Sequence, residues 1–319
     1  MTHPRLFLSL SLLALLLGSC SPQATPVTGP PMTETPAPEP FRIVAYATDG
    51  IIESLIPYDK LTHINYSFLT PKADGTFNRI NNGWKLKLIA ENAQKHDVKV
   101  LISVGGWGWD EQFETVAADP SLRSVFVQNL KAFVDEYQLD GADIDWEYPD
   151  TGQSAQNFQA LMQELRLAMP DKLLTAAVVA YGDDHGLGIP PESFEFMDFV
   201  IVMTYSGKDH GTREQFDKGL AYWNARDLPK EKLVIGLPFY SEPSGVSFAN
   251  LVKEDPAAAQ TDQFDYLGAP ERYNGIPTIR AKTKFALDNA GGVAFWALDH
   301  DAQGEFSLVN AIHQTVYAP

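Results

Sequence analysis

The strongest constraint on the fold is a set of short apolar, β-branched runs that recur along the chain. An unbroken apolar run of this length is typical of a strand that is buried on both faces. There are eight of them: "RIVAYA", "LTHINYSFL", "VKVLISVGG", "DGADIDWE", "LLTAAVVA", "DFVIVMTYS", "KLVIGLPFY" and "GGVAFWALD". Stretches with helical spacing lie between most of the runs, such as "FVQNLKAFVDEY" and "NFQALMQELRLAM". Regular alternation of buried strands with amphipathic helices predicts a parallel sheet.

The spacing of these runs favours a closed sheet. A strand and helix repeat of about thirty residues fits a (β/α)8 barrel, whose length is typically about 250 residues. An open doubly wound sheet is the alternative, but it needs a glycine-rich phosphate turn after the first strand, which "YATDGII" does not supply. We therefore expect an α/β fold, a single (β/α)8 TIM barrel over residues 41–319.

The first forty residues have a different composition. Arg5 and the apolar run from Leu6 to Leu17 are typical of a signal peptide, and the run is too short to span a bilayer. The tetrad "LGSC" resembles a bacterial lipobox, which implies a lipoprotein signal peptide over 1–19 and lipidation of Cys20; the alternative is a spare thiol in a cleaved peptide. Residues 20–40 are rich in Pro and Thr, which predicts an extended linker.

Localisation and partners follow from these features and from the net charge. With 41 acidic and 24 basic residues, the formal charge is −17, which disfavours nucleic acid and anionic lipid surfaces as partners. We expect an exported protein that is lipid-anchored to the bacterial cell envelope, at the outer membrane or cell surface, and that meets the membrane only through its anchor. We also expect a monomer.

The fourth run places acids inside a buried strand. Because side chains alternate along a strand, Asp143, Asp145 and Glu147 should point to one face while Ile144 and Trp146 point to the other. Like charges so close together and partly out of water raise one another's pKa values and share protons. A carboxyl group that stays protonated near neutral pH can serve as a general acid, and barrel enzymes place their chemistry at the carboxyl ends of strands.

Acids in such a strand can also have roles that do not involve catalysis. They can cap a helix or bind a divalent cation, but metal sites usually recruit His or several loops, and no His lies near this strand. A purely structural cluster of buried acids is costly without partners. His185, His210 and His300 lack metal-ligand spacing, and we interpret them as solvated or structural histidines. General acid catalysis is therefore the favoured interpretation.

The stretch "DGADIDWEYP" resembles the DxxDxDxE signature of glycoside hydrolase family 18, the chitinases and their relatives. Four other strand ends match the family in order: "LISVGGWG" on the third strand, "VIVMTY" on the sixth, "GLPFY" on the seventh and "GGVAFWALD" on the eighth. The resemblance extends from Phe41 onward. It implies the (β/α)8 fold and hydrolysis of bonds between N-acetylglucosamine units, with no metal and no cofactor.

The resemblance also implies a role for each matching residue. Glu147 corresponds to the acid that protonates the glycosidic oxygen and then activates water, while Asp145 holds the substrate's acetamido group and shares a proton with Asp143. The substrate's own N-acetyl oxygen is the nucleophile, through an oxazolinium ion and with retention of configuration. The other matches are Tyr46 and Ser103 as supports of Asp143, Met203 and Tyr205 around the N-acetyl group, Trp296 beneath the sugar at the cleaved bond, and Trp107 with Tyr148 on the leaving-group side. Tyr240, at the end of the seventh strand, is a further predicted substrate contact.

The chain departs from the family pattern at two places. Many members carry Asp directly after the tyrosine of the sixth strand, where this chain has Ser206. Its hydroxyl can still hydrogen-bond but brings no charge, so the pH optimum and the affinity for the N-acetyl group do not follow from the resemblance, whereas the reaction does. Many two-domain chitinases also insert a small α+β domain after the seventh strand, and the segment here is too short for it. We therefore expect an open cleft that favours endo cutting.

Four functions remain open from the sequence, with a retaining endo-chitinase first. An endo-β-N-acetylglucosaminidase that cuts the chitobiose core of N-glycans would share the acid signature. A non-hydrolytic chitin-binding lectin on the same barrel would typically lack the acid that Glu147 supplies. A substrate-binding lipoprotein of a transporter would need two domains around a hinge. The expected ligand is accordingly chitin or a chito-oligosaccharide.

Overall fold

The computed structural model describes residues 40–317, and within them eight parallel strands close into one barrel, which confirms the predicted (β/α)8 fold. The barrel strands are β1 (Arg42–Thr48), β2 (His63–Leu69), β3 (Lys99–Gly105), β4 (Gly141–Asp145), β5 (Leu173–Val179), β6 (Phe199–Met203), β7 (Leu233–Pro238) and β10 (Gly292–Trp296). Around the barrel they are ordered β1-β10-β7-β6-β5-β4-β3-β2. Each overlaps one of the eight apolar runs. The predicted signal peptide, Cys20 and nearly all of the predicted linker lie outside the described residues.

Helices connect the strands on the outside of the barrel. They are α1 (Gly83–Gln94), α2 (Asp110–Ala118), α3 (Pro120–Glu136), α4 (Gln153–Ala168), α5 (Asp183–Gly186), α6 (Arg213–Asn224), α7 (Phe248–Glu254), α8 (Ile276–Asn289) and α9 (Leu308–Tyr317). Local signals set where some of them begin. The Asp119 carboxylate accepts the backbone N–H groups of Ser121 and Leu122, and Pro120 takes the first helical position, so α3 starts six residues before the apolar stretch that indicated it.

Two apolar layers hold the barrel together. The interior layer includes Val44, Phe199, Ile201, Val234 and Ala294, all completely buried. A larger layer fills the space between the strands and the surrounding helices. The interior apolar layer comes from β1, β6, β7 and β10. Since successive side chains of a strand face opposite sides, the same four strands also contribute apolar side chains to the outer layer.

The connection between β7 and α8 contains no separate domain. It comprises α7, a short 3-10 turn and an antiparallel hairpin formed by β8 (Gln263–Tyr266) and β9 (Ala269–Arg272). The last strand of the barrel is therefore β10 rather than β8. No helix within residues 40–317 is long and apolar enough to cross a membrane.

Candidate active site

The acids of β4 lie on the inner side of the barrel, while their neighbours face outward. Asp143 is completely buried and Asp145 is 4% exposed. Trp146, on the opposite side, stacks on Phe113 with ring centroids 5.3 Å apart, and its indole N–H donates to Asp110 at 2.7 Å. The strand ends at Asp145, so Glu147 lies two residues beyond it, at the carboxyl end of the barrel. The alternation of β4 thus separates the acids from the apolar packing of the outer layer.

Three hydroxyl groups from three other strands surround the Asp143 carboxylate. Tyr46 of β1 and Ser103 of β3 donate to its Oδ2 at 2.9 and 2.8 Å, and Thr175 of β5 donates to its Oδ1 at 2.6 Å. Ser103 and Thr175 are the register partners of Asp143 on the neighbouring strands, which is why all three lie at one level of the barrel. Burial raises the pKa of Asp143, and the three hydroxyl donors act in the opposite direction.

Asp145 is less well satisfied than Asp143. Its Oδ1 atom is buried and has no hydrogen-bond partner in the protein. Burial raises the pKa of Asp145 well above its usual range, and the nearby charges of Glu147 and Asp143 raise it further. Burial also raises the pKa of Glu147, against a hydrogen bond from Tyr148 that lowers it. The arrangement therefore favours the protonated forms of these acids and presents one unsatisfied acceptor.

A cavity of about 320 Å³ opens above these acids at the carboxyl ends of the strands. Trp296, the last residue of β10, forms part of its lining and packs against two rings, Phe68 at 5.4 Å and Tyr46 at 5.8 Å between centroids. Burial raises the pKa of the Tyr205 phenol well above its usual range, so this group remains a hydrogen-bond donor. The cavity is lined by Tyr46, Phe68, Gly105, Gly106, Trp107, Trp109, Asp145, Glu147, Tyr148, Met203, Tyr205, Ser206, Tyr240 and Trp296.

Two glycines at the end of β3 allow this cavity to form. Gly105 has φ +109° and Gly106 has φ +86°, which are backbone conformations that side chains disfavour. A Cβ atom on Gly105 would lie 2.4 Å from the carbonyl oxygen of Asp145, and one on Gly106 would lie 2.8 Å from the Phe68 ring. The backbone of Gly106 donates to the same Asp145 carbonyl at 2.9 Å. The close approach of β3 to β4 thus requires Gly105, and the packing of the Phe68 ring of β2 against the end of β3 requires Gly106.

Comparison with known proteins identifies the family. The model for Glycosyl hydrolases family 18 matches residues 42–301. This chain belongs to that family. Its curated relatives include a probable endochitinase of Caenorhabditis elegans, 31% identical over 56% of this chain and 36% of the relative, and chitinase 1 of Aphanocladium album, 24% identical over 81% and 80%. The chain thus spans little more than a third of the length of the nematode relative.

Solved structures of family 18 proteins resemble this fold over most of its length. A chitinase from Bacteroides thetaiotaomicron has a TM-score of 0.77 and 30% identity, covering 88% of this chain and 97% of that one. A family 18 chitinase from Flavobacterium johnsoniae has a TM-score of 0.75 and 27% identity, covering 87% and 94%. Neither these structures nor the relatives above support the N-glycan alternative.

The structure brings the predicted family 18 site residues together. Those that line the cavity are Tyr46, Trp107, Asp145, Glu147, Tyr148, Met203, Tyr205, Tyr240 and Trp296. Ser103 and Asp143 lie beneath it and reach the lining through Tyr46. Trp107 is 79% exposed, so its indole stands at the edge of the site. Cys20, the predicted lipidation residue, lies outside the described residues.

Phe68 and Thr175 belong to this family 18 site and were missed by sequence reasoning. Phe68 lines the cavity because the pairing of β2 with β3 shifts register between Ser67 and Leu69, which a regular alternation does not anticipate. Thr175 is the only polar residue in the apolar run "LLTAAVVA", which singles it out in the sequence. The sequence does not show that Thr175 donates a hydrogen bond to Asp143. Among the described residues, no group of three or more His, Cys, Asp and Glu side chains could hold a metal ion.

Proposed function

We propose that this family 18 protein is an endo-acting, retaining chitinase that cleaves β-1,4 bonds between N-acetylglucosamine units. The observation that carries the proposal is the unpartnered Oδ1 of Asp145, which lies beside Glu147 in a cavity that also contains Tyr205 and Trp296. An N-acetyl group offers one N–H donor and one carbonyl acceptor. The free Asp145 oxygen and the Tyr205 phenol are complementary to those two groups.

The first step breaks the glycosidic bond. Glu147, whose pKa is raised by burial, gives its proton to the glycosidic oxygen as the C1–O bond breaks. The carbonyl oxygen of the substrate's own N-acetyl group bonds to C1 from the opposite face and forms an oxazolinium ion, as in other members of family 18. Asp145 accepts the amide N–H and stabilises the positive charge that develops there, while Tyr205 orients the carbonyl oxygen.

The second step restores the enzyme. Glu147, now a carboxylate, takes a proton from a water molecule whose oxygen bonds to C1 and opens the oxazolinium ring. Two inversions at C1 leave the configuration unchanged. A conventional retaining mechanism needs a carboxylate nucleophile on the opposite side of the sugar from the acid. The two acids of the cavity lining, Asp145 and Glu147, come from one strand end and are only two residues apart, which supports the assisted route.

Endo cleavage is supported by the form of the rim. The connection after β7 carries only a short helix, a 3-10 turn and a hairpin, and Trp107 is largely exposed. Such an open cleft can bind an internal stretch of a polymer chain, so that cleavage need not start from a chain end. The test is to digest chitohexaose with the purified protein and to follow products by chromatography and the new anomeric signals by proton NMR. We expect oligosaccharides of several lengths from early times, with the β-anomer of the new reducing ends formed first. Initial formation of the α-anomer would contradict retention. Release of terminal units alone would contradict endo cutting.

The same proposal includes export and anchoring. The apolar run from Leu6 to Leu17 and the tetrad ending in Cys20 support a lipoprotein that is held at the bacterial cell envelope through a Pro/Thr-rich linker. Expression with labelled palmitate tests this directly. We expect label in the wild type and none in Cys20→Ser, whereas equal labelling or a soluble wild type would contradict the anchor. Light scattering on the Cys20→Ser protein tests the expected monomer.

A further inference from the structure

Two hydroxyl groups of the cavity lining form a pair at one side of the site. The Ser206 and Tyr240 hydroxyl oxygens are 2.7 Å apart, although they come from the loop after β6 and the end of β7. Ser206 adopts φ +69°, a left-handed conformation that is unfavourable for a residue with a Cβ atom. The loop must therefore be held in place by contacts outside the pair.

His210 supplies two of those contacts from beneath the lining. Its side chain is completely buried, and its Nδ1 lies 3.0 Å from the backbone nitrogen of Ser206 while its Nε2 lies 3.0 Å from the carbonyl oxygen of Tyr240. A backbone N–H can only donate and a carbonyl can only accept. Nδ1 must therefore be unprotonated and Nε2 must carry the hydrogen, which assigns a neutral imidazole in one tautomer.

We propose that His210 is a positioning residue for the sugar site: as a neutral imidazole it joins the β6 loop to the end of β7 and holds the hydroxyl groups of Ser206 and Tyr240 in their binding arrangement, and its protonation releases them. The proposal rests on the proposed function, because the pair is taken to contact the substrate. His210 itself lines no part of the cavity.

The structure also indicates which acceptor a protonated His210 would bind. Protonation converts Nδ1 from an acceptor into a donor, so it can no longer accept the N–H of Ser206. The Glu242 Oε1 atom lies 3.8 Å from Nδ1 and at present accepts the backbone N–H of Gly207 at 3.2 Å. Acid should therefore break the hydrogen bond from Ser206 N–H to Nδ1 and form one from Nδ1–H to Glu242. This change disturbs two adjacent residues of the loop, Ser206 and Gly207.

The surroundings of His210 favour the neutral form over most of the pH range. Burial lowers its pKa to about 4, and the positive charges of Arg272 and Lys282 act in the same direction. The carbonyl of Tyr240 and the carboxylate of Glu271 oppose this shift. The titratable and charged groups around His210 are Glu242 and Tyr240 after β7, Glu271 and Arg272 on β9, and Lys282 on α8.

The test measures binding without turnover. The dissociation constant of chitotetraose is determined by calorimetry between pH 6 and 3.5 for the full chain carrying Glu147→Gln and for the same chain carrying Glu147→Gln and His210→Gln. Glutamine supplies an NH2 group that can donate to the carbonyl of Tyr240 and a carbonyl oxygen that can accept from Ser206, and it does not titrate. We expect the single variant to lose about fourfold more affinity over this range than the double variant, because only about a quarter of the imidazole stays neutral half a pH unit below its pKa.

The comparison separates the inference from the proposed function. Parallel pH profiles for the two variants would overturn the role of His210 and leave the chitinase assignment intact. Absence of binding at pH 6 in both would overturn the proposed function and, with it, this inference. Circular dichroism at each pH checks folding, and if His210→Gln does not fold, Glu242→Gln replaces it: we expect the acid loss to begin at lower pH, and an unchanged onset would refute the transfer to Glu242.

Discussion

Replacement of Trp296 by alanine should weaken substrate binding by an amount that the packing of the indole allows us to work out. One side of the ring packs against Phe68 and Tyr46, with centroids 5.4 and 5.8 Å away. The rest of the indole contributes to the cavity lining, above the acids. In the proposed mechanism a sugar ring covers that exposed face, so alanine removes an apolar contact from the complex and part of the packing from the free protein.

The binding loss can be expressed as a free energy. If a sugar covers about a third of the roughly 200 Å² that a tryptophan buries, about 70 Å² of apolar surface is involved. At about 25 cal/mol per Å² this corresponds to about 1.8 kcal/mol. The dissociation constant of chitotetraose should then rise about twentyfold.

Calorimetry with chitotetraose, performed in the Glu147→Gln background, measures this change without hydrolysis. Trp296→Phe is the matched control, because it keeps an aromatic ring in contact with Phe68 and should lose less affinity than alanine. Urea unfolding of each variant separates binding from stability. An affinity within about twofold of the parent would refute the reasoning, since it would mean that the indole serves only as core packing.

Three further predictions concern the buried acids. Thr175→Val removes a donor to Asp143 with little change of shape and should lower the free energy of unfolding by about 2 kcal/mol in urea melts; an unchanged value would show that Asp143 does not depend on that hydroxyl. Because burial raises the pKa of Asp145, the folded chain binds more protons than the unfolded chain above about pH 4, so stability should fall as pH rises toward the raised pKa. Asp145→Asn should flatten that slope while it abolishes turnover, and an equally steep slope in the variant would contradict the assignment. Because burial raises the pKa of Glu147, the decline of kcat with rising pH should have its midpoint above about pH 4.3, the value for a free glutamic acid. A midpoint below that pH would contradict the role of Glu147 as the acid.

Much of the fold was predictable because its pattern is repetitive. Each of the eight apolar runs overlaps a barrel strand, since the outward face of every barrel strand packs apolar side chains and leaves a recurring signal in the sequence. The inward direction of Asp143 and Asp145 followed from the alternation of side chains in a single strand. Both features are local, so a sequence contains enough information to read them.

The features that escaped prediction depend on contacts between distant segments. Phe68 reaches the cavity through a register shift whose cause is the pairing of two strands. The sequence indicates only a solvated or structural histidine at His210, and the fold alone shows that it contacts Tyr240, thirty residues away, and Ser206 at once. A hydrogen-bond partner at that separation leaves no periodic signal in one sequence.

The most direct test of the central claim compares the wild type with Glu147→Gln in the hydrolysis of chitotetraose at one pH near neutrality. Glutamine has nearly the shape of the glutamic acid and cannot give a proton to the glycosidic oxygen. We expect the wild type to release shorter oligosaccharides and the variant to be slower by about a hundredfold or more, while it still binds the substrate. Turnover by the variant at close to the wild-type rate would contradict the account.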